Sequence, residues 1–322
     1  MGIRGGIDLG GTKVQAIVFD TATESVLGQA RRPTPDQGGP PAVVDVLVDA
    51  LEAAGADAGR PLGELAGVGV GCPGQVDADA GSLARAGNLP DWQRPFALAA
   101  ALKERTGLQV SLGNDVDVAT QAEFQLGAGR TADSLLGVFW GTGVGGGVIL
   151  DGQPWRGRGA AGEIGHMVVR RGGAHCPCGR RGCMEAYAGR RAMEQRARRK
   201  VGRGAHSELF DIMQERGRSS LSSGVWARAL DRGDQLAHSL ITRAVKALGA
   251  GVASAVNLLD VELVVIGGGL GVRFGAPMVD RIAGAMGPHL FSDDRPPEVR
   301  VAELGDLGGA IGAALLSQRG LD

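Results

Sequence analysis

The sequence predicts an α/β protein built from two lobes, each with its own sheet. Strand patterns open both halves, "IRGGIDLG" and "KVQAIVFD" at the start and "SLLGVFW" and "GVGGGVILDG" in the middle. Helical spacing of apolar residues follows each group of strands, which is typical of α/β architecture. A Gly-rich turn joins the paired strands in each half, "DLGGTK" in the first and "GTG" in the second. The two turns suggest a duplication that the low sequence identity between the halves does not prove.

Periodicity and turn residues define the remaining elements. We predict further strands at residues 25–31 and in the segments "LAGVGVGC", "LQVSLG", "ELVVIGGGL" and "EVRVAELG". Helices are predicted at residues 42–54, 96–106, 115–126, 234–258 and 310–318, with a mostly helical stretch from 190 to 240.

Length and composition narrow the class of protein. At 322 residues the chain suits about two domains. Its net charge of −1 gives no sign of a polyanion-binding surface, so we expect no nucleic-acid partner. No apolar run approaches the roughly 20 residues that span a bilayer, and the N-terminus lacks a signal-peptide pattern. We therefore expect a soluble, cytoplasmic protein with no membrane partner. The 56 glycines cluster at strand ends, where bare backbone can approach a ligand.

The first Gly-rich turn, "DLGGTK", is a candidate phosphate-binding loop. Backbone N–H groups around Gly10 and Gly11 could point into one space and bind phosphate oxygens, beside the hydroxyl of Thr12 and the charge of Lys13. Asp8 could hold Mg²⁺ through water. Considered alone, the turn could equally be an ordinary Gly-rich hairpin.

The second turn lies in "WGTGVGGGVIL" and contains Gly141, Thr142 and Gly143. With Gly146 it matches the G-x-G-x-x-G pattern of dinucleotide-binding folds, but those folds need a helix after the turn and a strand follows here. The hairpin context favours a second phosphate loop that faces the first.

A third glycine cluster ends the buried strand "VVIGGGL", at Gly267, Gly268 and Gly269. A flat adenine or ribose could pack against bare backbone there. A simple strand-to-helix turn explains the same residues and is the better interpretation of the cluster by itself.

The segment "GNDVDVAT" places Asn114 and Asp115 between a strand and a helix. An Asp at this point is commonly the N-cap of the helix, which is the preferred interpretation in isolation. The alternative is a carboxylate poised to accept a hydroxyl proton.

Three cysteines lie within eight residues in the segment "CPCGRRGC". Cys176 and Cys178 are too close in sequence for an unstrained disulfide, and a redox pair normally has the spacing C-x-x-C. With Cys183 and one imidazole, from His166 or His175, they satisfy tetrahedral Zn²⁺. Four protein ligands close the coordination shell, so the zinc would be structural rather than catalytic.

Carboxylates flank this zinc knot, residues 166–183, on both sides. Glu163 and His166 stand in "GEIGH" and Glu185 follows the last cysteine by two positions. A loop folded around a metal would bring these groups to one spot, where they could bind a hydroxyl-rich ligand. Either glutamate could equally be a surface residue.

These motifs together resemble the ROK family, the repressors and sugar kinases of the actin-like ATPase superfamily. The match runs nearly end to end and in the family's order, through "DLGGTK", "GCPGQVD", "GNLPDW", "GNDVDVATQAE", "GTGVGGGVIL", "GEIGH", "CPCGRRGCMEAY" and "VVIGGGL". The CxCGxxGCxE string is very specific to that family.

The resemblance implies a two-lobed actin-like ATPase (ribonuclease H-like) fold, with a mixed sheet and flanking helices in each lobe and a cleft between the lobes. We therefore expect a small lobe at residues 1–118, to which a C-terminal helix at 307–322 returns, and a large lobe at 119–306.

The resemblance also implies an ATP-dependent hexose kinase, most like bacterial glucokinases, that phosphorylates the 6-hydroxyl of glucose. Asp115 would be its general base. The sugar site would comprise Asn88, Asn114, Asp115, Glu163, His166 and Glu185. ATP and Mg²⁺ would be bound by Asp8, Gly10, Gly11, Thr12, Lys13, Gly141, Thr142, Gly143, Gly267, Gly268 and Gly269. The structural zinc would be held by His166, Cys176, Cys178 and Cys183.

Several alternatives remain open at this point. N-acetylglucosamine, N-acetylmannosamine or another hexose could be the substrate, and polyphosphate the donor. A ROK-type transcription regulator is disfavoured because its helix-turn-helix would precede the strand that begins at Ile3. The family resemblance implies a homodimer or homotetramer. Val116 and Asp117 depart from the family's usual Ala and Asn, and His175 replaces a common Gly.

Overall fold

The structure, a computed structural model, describes residues 2–317 of the chain. The strands in this range are β1 (Ile3–Leu9), β2 (Lys13–Asp20), β3 (Ser25–Pro33), β4 (Val68–Cys72), β5 (Gln75–Asp77), β6 (Ser82–Ala84), β7 (Val110–Asn114), β8 (Leu135–Trp140), β9 (Val144–Leu150), β10 (Gln153–Pro154), β11 (Leu263–Gly267) and β12 (Glu298–Val301). The α-helices are α1 (Gly39–Asp57), α2 (Leu98–Thr106), α3 (Asp115–Leu126), α4 (Glu185–Ala188), α5 (Arg190–Val201), α6 (Leu209–Glu215), α7 (Ser223–Asp231), α8 (Gln235–Leu259), α9 (Gly268–Phe274), α10 (Ala276–Met286) and α11 (Gly308–Leu316).

The chain divides into two compact units. The first contains the residues up to Gly127 and the segment from Asp306 onward, and the second is Ala128–Gly305. The boundary expected at residue 118 falls inside α3. The whole of α3 belongs to the first unit because it packs along α11 and β4. Residues 318–322 of the expected C-terminal helix lie outside the described residues.

The two units are built on sheets of the same design. The strand order is β3-β2-β1-β4-β7 in the first sheet and β10-β9-β8-β11-β12 in the second. In both sheets the first three strands are antiparallel and the last two run parallel to the third. The shared order confirms the predicted α/β fold class and supports the duplication, because the two Gly-rich turns join equivalent strands.

The parallel strands bring the candidate motifs to the carboxyl ends of neighbouring strands in each sheet. In the first unit Asp8 of β1 pairs with Gly71, and Cys72 pairs with Asn114 at the end of β7. In the second unit Gly267 pairs with Phe139, next to the end of β8. Ligands of open α/β sheets bind at the carboxyl ends of parallel strands. Each unit therefore presents its own Gly-rich turn and strand-end motif where such ligands bind.

Several glycines serve helix–sheet packing rather than ligand binding. A Cβ on Gly69 of β4 would overlap the carbonyl oxygen of Ala313, and a Cβ on Gly312 would overlap the carbonyl oxygen of Val118. No side chain fits such a gap in a close-packed interior. The high glycine content thus arises partly from the close fit of α11 between β4 and α3.

Helix α8 is the central helix of the second core. Within residues 2–317, α8 is the one helix long and apolar enough to cross a membrane by length and composition. Charged residues such as Arg243 and Lys246 interrupt its apolar sequence, and 67% of its apolar window is buried inside the unit. Its composition is therefore accounted for by packing against the neighbouring helices.

Candidate active site

Asn114 and Asp115 lie where β7 meets α3. The Oδ1 atom of Asn114 accepts hydrogen bonds from the N–H groups of Val116 (3.1 Å) and Asp117 (3.3 Å), so Asn114 is the N-cap. The expectation that Asp115 caps the helix is wrong, because Asp115 is already the first helical residue. Its own Oδ1 accepts the N–H of Val116 at 2.9 Å. The cap and the adjacent carboxylate are thus separate residues.

The carboxyl groups of Asp115 and Asp8 both have raised pKa values, and the charge of Asp8 contributes to the shift of Asp115. The pKa of Asp115 is raised to about 7, first by burial and then by the negative charge of Asp8. The pKa of Asp8 is raised to about 6, mainly by burial, against the opposing charge of Lys13. A carboxylate with a pKa near neutrality can accept a proton and release it again at physiological pH. Such a pKa would suit the proton acceptor that the family resemblance predicts at Asp115.

The first Gly-rich turn is held by hydrogen bonds of its own. The N–H of Gly10 donates to the carbonyl of Lys13 (2.9 Å), and the hydroxyl of Thr34 donates to the carbonyl of Gly10 (2.6 Å). The amide of Gly10 is therefore used within the turn. The Nζ atom of Lys13 lies 3.6 Å from a carboxylate oxygen of Asp306. Thr34 and Asp306 belong to this turn although no motif of the sequence marks them.

Asn88 lies against the same turn. A Cβ on Gly11 would stand 2.7 Å from the Cβ of Asn88 and 3.0 Å from its carbonyl oxygen, so only glycine leaves room for that contact. The loop of Asn88 is anchored by Trp92, whose buried ring donates from Nε1 to the carbonyl of Leu83 at 2.8 Å and meets Phe96 edge-on. The first unit thus places an exposed amide beside the predicted phosphate loop.

Four potential metal ligands come together in the second unit. The ligand atoms of His166, Cys176, Cys178 and Cys183 all lie within 4.8 Å of one another. Two thiol sulfurs, those of Cys178 and Cys183, are 3.7 Å apart, and the Sγ of Cys176 is 3.7 Å from Nδ1 of His166. Tetrahedral ligands about 2.3 Å from zinc stand about 3.8 Å from each other. The donor set therefore fits that metal.

His175, the other imidazole that the sequence offers, stands outside this group. Its Nε2 atom lies 2.5 Å from the guanidinium of Arg181. The chain turns around the thiols at Gly179 and Gly182, both of which have φ of 85°. Burial raises the pKa of Cys176 to about 12. Burial also acts to raise the pKa of Cys178, but hydrogen bonds from the backbone of Arg180 and from the other thiols bring it down to about 7.

Two carboxylates lie next to this metal-ligand group. The Oε2 atom of Glu163 is 3.8 Å from Nε2 of His166, so the imidazole presents Nδ1 to the thiols and Nε2 towards Glu163. The Oε1 atom of Glu185 lies 3.9 Å from the Sγ of Cys176. The two glutamates are thus close to the ligand group on which their predicted role depends.

The "GTG" turn is bound to the start of α5 and to Glu185. The backbone N–H groups of Arg190 and Arg191 donate to the carbonyls of Gly141 and Thr142, both at 3.1 Å. The guanidinium of Arg190 also donates to the hydroxyl of Thr142 at 2.9 Å. Sequence reasoning missed Arg190, and the signal for it is only its position directly after "MEAYAG".

The three glycines after β11 have different roles. A Cβ on Gly267 would press on the ring of Phe139, and Gly268 has φ of 76° and abuts the backbone of Trp140. Both are explained by packing of β11 against β8. Gly269 has an open face, with the hydroxyl of Ser223 3.9 Å from its Cβ position, and it lies beside Gly141 of the "GTG" turn. Of the three, Gly269 is the one with space for a ligand.

The ROK family model matches residues 4–319, nearly the whole chain. The chain belongs to the ROK family. A ROK hexokinase from Thermus thermophilus is 35% identical, with a TM-score of 0.77 over 98% of this chain and 97% of that one. A ROK glucokinase from Streptomyces griseus, solved in complex with glucose and AMPPNP, is 30% identical, with a TM-score of 0.84 over 99% of this chain and 100% of that one.

Relatives in sequence include kinases for different sugars. A glucokinase of Halalkalibacterium halodurans is 33% identical over 316 residues, which cover 97% of this chain and 93% of that protein. An N-acetyl-D-glucosamine kinase of Salmonella gallinarum is 31% identical over 327 residues, which cover 97% of this chain and 98% of that protein. These similarities extend over both units, so the expected family membership is confirmed along the whole chain.

Proposed function

We propose that this ROK protein is an ATP-dependent hexose kinase that converts glucose to glucose 6-phosphate. The observation that carries the proposal is Asp115, a carboxylate at the start of α3 whose pKa is raised to about 7 by burial and by Asp8. Full-length similarity to glucokinases, one of them bound to glucose and an ATP analogue, supports this reaction and this substrate.

Asp115 takes the proton from the 6-hydroxyl as the oxygen attacks the γ-phosphorus of ATP. The bond from that phosphorus to the bridging oxygen of ADP breaks, and the proton stays on the carboxylate until it leaves to solvent. Phosphoryl transfer requires mainly positioning and charge neutralisation. Asn114 supports Asp115 by fixing the first turn of α3, which keeps the carboxylate in one place.

The two Gly-rich turns bind the phosphates of ATP in this proposal. The phosphate oxygens accept hydrogen bonds from the backbone amides of Gly11, Thr12, Thr142 and Gly143. The amides of Gly10 and Gly141 instead donate within their own turns. Gly269 offers its open face to the nucleoside. Mg²⁺, held through water at Asp8, would neutralise charge on the transferred group. The roles of Lys13, Gly267 and Gly268 in ATP binding are less direct, because Lys13 pairs with Asp306 and the two glycines pack against β8.

Polar side chains of the candidate motifs bind the sugar in this proposal. Its hydroxyls pair with Asn88, Asn114, Asp115, Glu163, His166 and Glu185. A zinc ion held by His166, Cys176, Cys178 and Cys183 would be structural and would fix the ring of His166, whose Nδ1 faces the thiols. The Nε2 atom of His166 is then available to a sugar hydroxyl, and Oε2 of Glu163, 3.8 Å away, could accept a hydrogen bond from the same hydroxyl.

N-acetyl-D-glucosamine is the second candidate substrate, because a kinase for that sugar matches the chain nearly as well as the glucokinases do. A coupled assay of ADP release against glucose, N-acetylglucosamine, N-acetylmannosamine, mannose and fructose separates the candidates. We expect the largest kcat/KM for glucose. A larger value for an N-acetyl sugar would assign the protein to that substrate. If none of these sugars stimulated the release of ADP, the proposed function would be contradicted.

We further propose that the protein acts in the cytoplasm as a homodimer or homotetramer, with ATP rather than polyphosphate as the donor. Replacement of ATP by polyphosphate in the same assay tests the donor. Light scattering of the purified protein tests the oligomeric state.

A further inference from the structure

Four arginines of the second unit form one electrostatic cluster, because the charges of Arg243, Arg199 and Arg170 all act on Arg196. Arg196 and Arg199 are one turn apart on α5, Arg243 is on α8, and Arg170 is in the loop that carries the metal ligands. The guanidinium of Arg243 lies over the ring of Tyr187, 4.5 Å from its centroid. An arginine held on an aromatic face keeps its charge and its donors available to a ligand.

Each of these four side chains lacks an ion pair within residues 2–317. The acidic residue nearest in sequence on α5 is Glu194, but it binds Arg198 at 2.6 Å and the N–H of Leu221 at 2.9 Å. The pKa of Arg196 is lowered by burial and then by the positive charges of Arg243, Arg199 and Arg170. Like charges therefore repel within the free protein, and a bound anion would relieve that repulsion.

The backbone around the cluster is fixed. The hydroxyl of Tyr187 accepts the N–H of Ala174 at 2.8 Å, and the N–H of Arg170 donates to the carbonyl of Gly182 at 3.2 Å. Helices α4 and α5 both pack on α8. A rigid frame lowers the entropy lost when a ligand is bound.

We propose that Arg170, Arg196, Arg199 and Arg243 form a binding site for an anion with two or more linked phosphate groups. A guanidinium binds phosphate through two parallel N–H donors. One phosphate carries at most about two negative charges, too few to balance four arginines. The site lies outside the residues proposed for ATP, sugar and zinc, so its ligand binds in addition to the substrates and independently of which sugar is phosphorylated.

The test is a calorimetric titration with inorganic tripolyphosphate. The wild type is compared with the double variant Arg196→Gln/Arg243→Gln and with a control of equal charge, Arg218→Gln/Arg228→Gln. The two control arginines are exposed in the same unit and lie outside α5, α8 and the loop of Arg170. We expect the affinity to fall at least about tenfold in the first variant and to stay within about twofold in the control. Equal affinity in all three proteins would overturn the proposal.

Arg196 and Arg243 are half-buried, so their replacement could disturb folding. Thermal unfolding detects such a loss, and a second variant then tests the site. A second variant, Arg170→Gln/Arg199→Gln, removes the two exposed members and should also lose at least about threefold in affinity. Without anion both cluster variants should unfold at or above the wild-type temperature, because repulsion is relieved. Tripolyphosphate should raise the wild-type Tm more than theirs, and an equal rise in all proteins would contradict the assignment.

A phosphate chain could come from a nucleotide or from an inorganic polyphosphate. Equilibrium dialysis with AMPPNP separates the two sources. A nucleotide ligand gives one more AMPPNP bound per chain in the wild type than in Arg196→Gln/Arg243→Gln. An inorganic phosphate chain gives equal AMPPNP stoichiometry in both, with the difference confined to tripolyphosphate.

Discussion

The carboxylate of Glu185 joins the "GTG" turn to the metal-ligand group. Its Oε2 atom accepts the backbone N–H of Val144 at 2.9 Å, while Oε1 lies 3.9 Å from the Sγ of Cys176. A Cβ on Gly143 would overlap this carboxylate. A residue that the family resemblance assigns to the sugar therefore also supports the predicted phosphate loop, so one side chain links the two predicted sites.

Gly143→Val should weaken the binding of both glucose and ATP, and it should raise the KM for each by about tenfold or more. The sequence alone predicts a selective loss of ATP affinity, because a side chain would block the approach of phosphate to the backbone. The structure adds the displacement of Glu185, which is proposed to bind the sugar. Gly284→Ala is the control, at an exposed position of α10 in the same unit where nothing lies within 4 Å of the new Cβ. An unchanged glucose KM in Gly143→Val would show that Glu185 does not couple the sites.

Asp115→Asn should lose phosphoryl transfer while it keeps its fold and its affinity for glucose. Loss of a general base costs about 10² to 10⁴ in rate. The variant should also be more stable than the wild type at pH 8, because the amide replaces a buried carboxylate that is charged there. Turnover is measured with the coupled assay, binding by calorimetry and stability by thermal unfolding. Retention of more than roughly a tenth of wild-type turnover would mean that another residue is the base.

The pH dependence of kcat/KM should report the raised pKa of Asp115. The base is active when deprotonated, so kcat/KM should fall about tenfold per pH unit below a pKa of about 7. Asp8→Asn removes a neighbouring negative charge and should move this acid limb to lower pH, even though the variant is slower overall. An acid limb that stays in place in Asp8→Asn would show that the two carboxylates do not interact.

The raised pKa of Asp115 also determines whether the stability of the folded state rises or falls with pH. The folded state holds a proton on Asp115 up to a pH of about 7, whereas the unfolded chain releases it near the ordinary value of 3.8. Between these limits the folded state binds more protons, so this group's contribution to stability is lost as the pH rises from about 4 to about 7. The stability difference between Asp115→Asn and the wild type should therefore grow across that window and level off above it.

Much of the fold could be predicted from the sequence, because strand and helix periodicities are strong where one face of an element is buried. Helix α3 begins at Asp115 and ends at Leu126, at the residues that the pattern indicates. Helix α10 was not predicted, and α9 was expected only as the helix after a strand-to-helix turn at the three glycines. Gly and Pro mask the helical pattern at their starts, and only tertiary packing selects a helix there.

Contacts between residues distant in sequence are the part of the candidate site that the sequence could not predict. The motifs identify Asp115, the Gly-rich turns and the cysteine group. The support of Thr142 by Arg190 and the ion pair between Lys13 and Asp306 depend on how elements far apart in the chain meet. The N-cap is a subtler case, because Asn and Asp are equally good caps and only the path of the backbone selects Asn114.

Gly69→Ala should destabilise the first unit by about 2 kcal/mol or more, because its Cβ would overlap the carbonyl oxygen of Ala313 in α11. The control is Gly63→Ala, at an exposed position where nothing lies within 4 Å of the new Cβ, and it should change stability by no more than about 0.5 kcal/mol. Urea unfolding of both variants measures the difference. Equal stabilities would show that α11 does not pack this closely on β4.

The last prediction concerns the metal, and it tests the ligand set and the coupling through Glu185 together. We expect one zinc per chain in the wild type, loss of zinc in His166→Ala and Cys178→Ser, and full occupancy in His175→Ala. His175 contacts Arg181 and stands outside the ligand group, whereas His166 presents Nδ1 to the thiols. Metal analysis of the purified variants decides the assignment. Zinc retained in His166→Ala and lost in His175→Ala would reverse it.

Substrate titrations of the same variants test what the metal holds in place. Loss of zinc should free residues 163–185, which contain Glu163, His166 and Glu185, so glucose affinity should fall by about tenfold or more. ATP affinity should fall as well, but less, because Glu185 is only one of several supports of the "GTG" turn and the bonds from Arg190 and Arg191 remain. A knot that only stabilises the fold would instead reduce the two affinities equally and in step with Tm. ATP affinity untouched by zinc loss would show that the hydrogen bond from Val144 to Glu185 does not transmit the state of the metal site.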